Sequence, residues 1–274
     1  MLYETTLVTA YYPLSHSKYS KQQFSAWIQN FCKIPCAMVF FTTEEYFFKI
    51  QQLRKKLSDR TRILVRNFDS FAMTCPSMMK FWDAQVSDTT NQTGEVYAIS
   101  AIKQECVRNV IQQNPFQSKW FIWCDITIHR YSSFHSFYAT FPGEVSRMCP
   151  ENHMCFLELN EIPDSFVKDR DEEKPMNPEI PEAVLGGGCI VGDKDAWELF
   201  GSAYKDMLKE FILKGWFAGN DQNIYFAILM AKKVPMRLFR CKKFGTPSIP
   251  GIEWLSFLPM LSGTLDAEVD MRFT

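Results

Sequence analysis

Strand-like and helix-like segments alternate through the first half of the chain, and this alternation restricts the fold more than any other feature of the sequence. Short β-branched and aromatic runs predict buried strands at 5–12, 36–43, 61–68 and 118–126. Apolar residues at helical spacing predict helices at 17–31, 44–57 and 76–113, the last with a break near 87–94. Because strands that alternate with helices form parallel sheets, the sequence predicts an α/β fold: a mixed, mostly parallel central sheet flanked by helices on both faces.

The second half of the chain continues this pattern around one highly charged segment. Apolar runs predict strands at 153–159, 183–192 and 234–239, and helical spacing predicts helices at 193–214 and 219–232. The charged, proline-containing residues 160–183 predict a mobile loop. We interpret a second charge run, at 54–62, as the exposed end of a helix.

The overall charge argues against two classes of partner. The 274 residues carry 30 basic and 31 acidic side chains, and a net charge of -1 gives no general attraction to nucleic acid or to an anionic membrane. The nine cysteines form no CxxC pair, which indicates free thiols in a reducing compartment. No uncharged stretch approaches the roughly 20 residues of a membrane helix. We expect a soluble, cytoplasmic protein with no nucleic acid partner and no transmembrane segment; peripheral membrane attachment and the oligomeric state stay open.

An acidic residue ends one of the most apolar predicted strands. Residues 120–124 read Trp-Phe-Ile-Trp-Cys, and Asp125 follows them directly. Ligands of open α/β sheets bind beyond the carboxyl ends of the strands, and right-handed crossovers place the ends of the first and fourth predicted strands at one edge. We therefore expect Asp125 to face a ligand. The alternative is a structural carboxylate or a helix cap.

Three longer segments resemble GT-A glycosyltransferases, and they occur in the order found in those enzymes. They are YAISAIKQECVRNVIQQNPFQSKWFIWCDI, LGGGCIVGDKDAWELF and GWFAGNDQNIYFAIL. The chain resembles more closely the bacterial HtrL/YibB-type family, through LVTAYYPLSHSKYS, YSKQQFSAWIQNFCKIPCAMVFFT, NPFQSKWFIWCDI and GNDQ. The triplet Asp125-Ile126-Thr127 lacks the second Asp of the GT-A Asp-x-Asp motif. Thr127 also stands where the HtrL/YibB-type family has Gly, whereas the Arg of that family is kept as Arg130.

This resemblance implies a fold, an activity and partners. It implies one GT-A-like catalytic domain over 1–274, with a nucleotide-binding half at 1–126 and a sugar donor and acceptor half at 127–274. The implied activity is transfer of a sugar from a nucleotide-sugar donor to a hydroxyl of a glycan or glycoconjugate acceptor. Two alternatives stay open: a catalytically degenerate protein of this fold that binds a sugar nucleotide or a glycan, and a nucleotidyltransferase.

The resemblance also implies a donor site at the carboxyl edge of the sheet. The expected nucleotide- and donor-binding residues are Thr9, Ala10, Tyr11, Tyr12, Thr42, Lys103, Asp125, Ile126, Thr127, Arg130, Gly187, Gly188, Asn220 and Gln222. Tyr11 or Tyr12 would stack on the base, although each also fits a core position. The glycines of 186–188 would let the backbone approach the ligand, or would form a bulge.

The leaving diphosphate requires positive charge, and sugar transfer with inversion requires a base. Asp125 is the predicted ligand of Mn²⁺ or Mg²⁺. Because the second Asp is absent, basic side chains are the alternative source of charge: Lys103, Arg130, Lys242 and Lys243. Asp221 is the first candidate for the base and Glu158 the second. Since Asn220 and Asp221 stand at a predicted helix start, a helix N-cap is the competing interpretation.

Overall fold

A computed structural model describes residues 3–86, 92–131, 140–143, 145–168, 183–241 and 252–273 of the chain. One sheet contains eight strands: β1 (Thr5–Tyr11), β2 (Ala37–Thr42), β3 (Thr61–Val65), β4 (Trp120–Cys124), β5 (Met154–Glu158), β6 (Leu185–Asp193), β7 (Met236–Cys241) and β8 (Ala267–Val269). The strand order is β3-β2-β1-β4-β6-β5-β7-β8. Strand β6 runs antiparallel to β4 and β5, β8 runs antiparallel to β7, and the other pairs are parallel.

Helices cover both faces of this sheet. They are α1 (Lys21–Phe31), α2 (Glu44–Leu53), α3 (Pro76–Ala84), α4 (Gly94–Gln113), α5 (Val145–Met148), α6 (Asp164–Lys168), α7 (Lys194–Lys214), α8 (Asp221–Met230) and α9 (Phe257–Leu261). Buried residues of α3, α4, α7 and α8 form one apolar cluster, and those of α1, α2, α5 and α9 form a second. Alternate strand residues enter the two clusters, as Val8 and Leu7 do, which explains why the central strands are apolar without interruption.

The topology confirms the predicted α/β fold class: a mixed, mostly parallel central sheet with helices on both faces. The halves 1–126 and 127–274 contribute to the same sheet, because β4 pairs with β6. None of the helices described combines the length and the apolar content needed to cross a bilayer.

Several local expectations are corrected. Helix α1 begins at Lys21 rather than at 17, because Ser20 caps it together with Gln23. Arg54, expected on an exposed helix end, is 1% exposed and donates hydrogen bonds to the carbonyls of Cys32 and Cys36. Of the predicted loop 160–183, residues 169–182 lie outside the described residues, and α6 occupies Asp164–Lys168. The sequence pattern did not predict α9 or β8.

The register of the central strands fixes where the site lies. Strands β1 and β4 are parallel neighbours, with Val8 opposite Trp123. Their carboxyl ends therefore open at the same edge, which brings Asp125 next to the residues that end β1.

Candidate active site

A cavity of about 750 Å³ opens at the carboxyl ends of β1 and β4. Its wall includes eight of the predicted residues: Ala10, Tyr11, Tyr12, Lys103, Asp125, Ile126, Thr127 and Arg130. The rest of the wall comes mainly from the loop after β1 and from one face of α4. Three separate stretches of sequence therefore meet where the resemblance predicted a donor site.

Asp125 is held at the cavity wall from several sides. Its backbone N–H donates to the Gly188 carbonyl over 2.8 Å, which continues the β4–β6 ladder by one residue. Its Oδ1 accepts a hydrogen bond from the Trp123 indole Nε1 at 2.7 Å, and its Oδ2 lies 3.4 Å from Lys103 Nζ. Burial raises the pKa of Asp125, and the nearby Asp221 adds to this, against the opposing effects of Lys103 and Trp123. With 30% of its side chain exposed, this carboxylate meets the cavity directly.

Lys103 reaches the site from α4 and is almost fully buried. Its Nζ donates to Asp221 Oδ2 at 2.9 Å and to the Gly187 carbonyl at 2.9 Å, in addition to the longer contact with Asp125. Burial alone would lower the pKa of Lys103, but attraction to Asp125 and Asp221 and the hydrogen bonds to both raise it above its ordinary value. The ammonium therefore keeps its charge at physiological pH.

Asp221 is the first residue of α8 and lies behind Lys103 rather than in the cavity wall. Only 8% of its side chain is exposed, and its Oδ2 is bonded to the ammonium. The glycines of β6 explain how strand and carboxylates come so close. A Cβ atom at Gly187 would stand 2.9 Å from Asp221 Oδ2, whereas one at Gly188 would lie 3.6 Å from Asp125 Oδ2. Position 187 therefore requires glycine for packing, and position 188 does not.

Positive charge dominates the cavity wall. Among the lining residues described, Lys18, Lys103 and Arg130 carry positive charge and Asp125 carries negative charge. Arg130 Nε donates to the Thr127 carbonyl at 3.0 Å, and its guanidinium carbon lies 6.0 Å from the centre of the Trp27 ring. An anionic ligand is therefore favoured in this cavity.

Aromatic side chains form another part of the wall. The Tyr11 ring packs edge-on to Tyr46, with ring centres 4.7 Å apart, and tilted on Phe24 at 5.5 Å. Tyr12 instead packs against Phe68 and Phe71, 5.3 Å and 5.9 Å away. Both tyrosines line the cavity, and each ring is held in place by two aromatic neighbours.

Eight predicted residues do not line the cavity: Gly187, Gly188 and Asp221, described above, and Thr9, Thr42, Asn220, Gln222 and Glu158. Thr9 and Thr42 are fully buried within the sheet, and the Thr42 hydroxyl donates to the Tyr11 carbonyl at 3.1 Å. Asn220 caps α8, as the competing interpretation proposed, and Gln222 Nε2 donates to the Leu185 carbonyl at 2.7 Å. Asn220 and Gln222 therefore have structural roles here, because both fix the start of α8, which carries Asp221.

Glu158 is the last of these residues and belongs to a separate cluster of ion pairs. Both of its carboxylate oxygens accept hydrogen bonds of 2.7 Å from Arg240, and Arg272 and Asp270 complete the group. Its side chain is fully buried. A carboxylate with both oxygens bound to one guanidinium is poorly suited to accept a proton from an acceptor hydroxyl.

The expected Mn²⁺ or Mg²⁺ would need several oxygen ligands from this site. Among the residues described, no three His, Cys, Asp or Glu side chains lie together as a metal site would require. Asp125 and Asp221 share the ammonium of Lys103. A divalent ion about 4 Å from that ammonium would be repelled by about 8 kcal/mol at an effective dielectric constant of about 20. With Lys103 in place, these residues do not fit a divalent cation.

Sequence reasoning missed three contributions to the site, and the first is Lys18, on the loop after β1. Trp123 was assigned to a buried strand, yet its indole N–H fixes the Asp125 carboxylate. Thr93, Val96 and Ser100 line the cavity on the same face of α4 as Lys103. Successive steps of three, four and three residues from position 93 to position 103 were a usable signal, because such positions share one face of a helix. The candidates Lys242 and Lys243 lie outside the described residues.

Comparisons with known proteins give no family assignment. No family model matches the chain, and no curated protein matches it, so the resemblance to the HtrL/YibB-type family stays a prediction. Among solved structures, the chain is similar to apo mouse xyloside xylosyltransferase 1, with a TM-score of 0.40 and 10% identity over 84% of this chain and 82% of that one. It is also similar to 4-diphosphocytidyl-2C-methyl-D-erythritol synthase from Anaerococcus prevotii, with a TM-score of 0.39 and 10% identity over 94% and 95% of the two chains. At these values the chemistry has to be inferred from the cavity itself.

Proposed function

We propose that this protein is a nucleotide-sugar-dependent glycosyltransferase that moves a sugar to a hydroxyl of a saccharide or glycoconjugate. One observation carries the proposal. Asp125 ends a buried parallel strand and faces a cavity of about 750 Å³ whose wall combines aromatic rings with an excess of positive charge. Cavities of roughly 300 to 1,000 Å³ accommodate ligands of this size class.

The chemistry of the wall suggests how a donor would lie. The base would contact Tyr11, which lines the cavity beside Phe24. The diphosphate would lie against Arg130 and Lys18, and the sugar would reach Asp125, whose oxygens accept hydrogen bonds from sugar hydroxyls. This order places the negative groups of the donor on the positive part of the wall.

The same residues would serve the transfer step. As the new bond from the acceptor oxygen to the anomeric carbon forms, the bond to the diphosphate breaks and its electron pair leaves with the phosphate. Arg130 and Lys18 would stabilise that developing charge. If the transfer inverts the anomeric carbon, the acceptor proton needs a base within hydrogen-bond reach. Asp125 is the carboxylate that meets the cavity directly, and Asp221 would hold Lys103 in position behind it.

The test is release of nucleoside diphosphate from a panel of nucleotide sugars, with and without Mn²⁺. We expect release with at least one donor, its loss in Asp125→Ala, and its retention in Asp206→Ala, which removes an exposed carboxylate on α7 as a control. Binding without release would support a degenerate binding protein. Pyrophosphate release from a nucleoside triphosphate and a sugar phosphate would support a nucleotidyltransferase. The absence of both binding and release across the whole panel would refute the proposal.

A further inference from the structure

Three oxygen atoms from distant parts of the chain converge on one buried nitrogen. Asp221 Oδ2 and the Gly187 carbonyl each lie 2.9 Å from Lys103 Nζ, and Asp125 Oδ2 lies 3.4 Å from it. An ammonium has three N–H donors and no acceptor, so this arrangement uses all three donors. Two carboxylates and a carbonyl around a central cation are also the donor types that bind Mg²⁺ and Mn²⁺.

The ammonium is fixed in this position. Helix α4 delivers it, and only 5% of its side chain is exposed. Strand β6 can approach because residue 187 has no side chain, since a Cβ atom there would meet Asp221 at 2.9 Å. Trp123 Nε1 holds the other oxygen of Asp125 at 2.7 Å, so that carboxylate is oriented independently of Lys103. The raised pKa of Lys103 is consistent with a permanent charge at this point.

We infer that the Lys103 ammonium occupies the position, between Asp125, Asp221 and the Gly187 carbonyl, that a divalent ion would occupy in a metal-dependent site, and that this site therefore works with a fixed protein cation. This inference rests on the proposed function for one point only, that the site binds a nucleotide-sugar donor. Lys103 acts here as a positioning residue. It neutralises Asp221 and part of the charge of Asp125, and it leaves the diphosphate to Arg130 and Lys18.

Binding of Mn²⁺ by the protein alone tests the inference without any assay of activity. Electron paramagnetic resonance of free Mn²⁺ would be recorded during titration of wild type, Lys103→Ala and the double variant Lys103→Ala/Asp221→Asn. The wild type should bind no Mn²⁺ with a dissociation constant below about 1 mM. This limit is the upper end of the range for weak extracellular sites of divalent ions. Lys103→Ala leaves the three oxygens around an empty volume and should bind Mn²⁺ at least about tenfold more tightly than wild type does. The double variant should lose that gain, because one of its two carboxylates is neutral.

Removal of Lys103 leaves two acids close together, so folding of the variant is measured as well. A melting temperature of Lys103→Ala that rises with Mn²⁺, while that of the wild type does not, would support the inference even if this variant is unfolded without the ion. If Lys103→Ala folds neither with nor without Mn²⁺, the Mn²⁺ titration of the wild type decides whether the inference holds. Micromolar Mn²⁺ binding by the wild type that disappears in Asp125→Asn would overturn the inference.

A second titration tests whether a divalent ion binds together with the phosphates of the nucleotide. Affinities for a panel of nucleoside diphosphates would be measured in EDTA and in Mn²⁺. We expect the two affinities to agree within about threefold for any nucleotide that binds, and an increase of more than about tenfold with Mn²⁺ would contradict a fixed protein cation. If no nucleotide binds under either condition, the proposed function fails, while the Mn²⁺ titration of the protein alone still decides whether Lys103 takes the place of a metal.

Discussion

The neighbouring glycines 187 and 188 allow a matched test of how closely β6 packs against the two carboxylates. Neither has the positive φ that would itself forbid a side chain. A methyl group at 187 would lie 2.9 Å and 3.2 Å from the two carboxylate oxygens of Asp221, whereas one at 188 would meet Asp125 at an ordinary 3.6 Å. The two substitutions to Ala are chemically identical, and only the first displaces a bonded carboxylate.

The expected effect of Gly187→Ala has three parts. Overpacking in a core destabilises by about 1 to 3 kcal/mol. Weakening of the charged hydrogen bond between Asp221 and Lys103 adds about 1.5 to 3 kcal/mol. Alanine is itself better than glycine in a strand interior by about 0.5 to 1 kcal/mol. The free energy of unfolding should therefore fall by about 2 to 5 kcal/mol in Gly187→Ala and stay within about 1 kcal/mol of wild type in Gly188→Ala.

Urea unfolding, followed by circular dichroism, measures both values. An unchanged dependence of the free energy on urea concentration would show that the variants unfold to similar states. Equal stability of the two variants, or wild-type stability of Gly187→Ala, would refute the packing that brings Lys103, Asp221 and β6 together.

Three further predictions concern charged side chains. Glu158→Gln breaks the buried pair with Arg240 and should destabilise the fold by about 3 kcal/mol while leaving nucleotide affinity in calorimetry unchanged; lost affinity in the folded variant would place Glu158 in the site. Burial tends to raise the pKa of Asp270, but Arg272 and then Arg240 lower it below its ordinary value of 3.8, so its ionised form stabilises the fold above that pH. The excess stability of wild type over Asp270→Asn should therefore be constant from about pH 5 to 7 and disappear as the pH falls through the lowered pKa, and an undiminished difference at about pH 2 would contradict this. Arg130→Ala should weaken nucleoside diphosphate binding about tenfold in calorimetry, with partial recovery in Arg130→Lys, and unchanged affinity would exclude Arg130 from the phosphate site.

The strands and long helices follow from local sequence patterns. Strands β1, β2 and β4 are buried on both faces, and continuous apolar runs are typical of such strands. Helix α7 begins after Asp193, whose side chain accepts from the Ala196 N–H, and ends at Gly215, whose φ is +66°. Both signals are visible in the sequence, and the predicted range of 193–214 agrees with the structure.

The centre of the site does not follow from such patterns. Lys103 meets Asp125, Gly187 and Asp221, which lie 22, 84 and 118 positions further along the chain. All four residues were predicted from the sequence as candidates. Their contact with one another, however, depends on how α4 and α8 pack on β6. The same packing separates Glu158 from the cavity, although Glu158, like Asp125, comes at the carboxyl end of an apolar strand.

The central claim is that Asp125 acts on a nucleotide sugar held in the cavity at the end of β4. The most direct measurement is the rate of nucleoside diphosphate release by wild type and Asp125→Asn, recorded in EDTA with the best donor of the panel, together with the affinity of each for the nucleoside diphosphate. We predict a rate at least about 100-fold lower in the variant, since loss of a catalytic proton-transfer group has effects of this size, with affinity within about threefold of wild type. Equal rates in the two proteins would contradict the account.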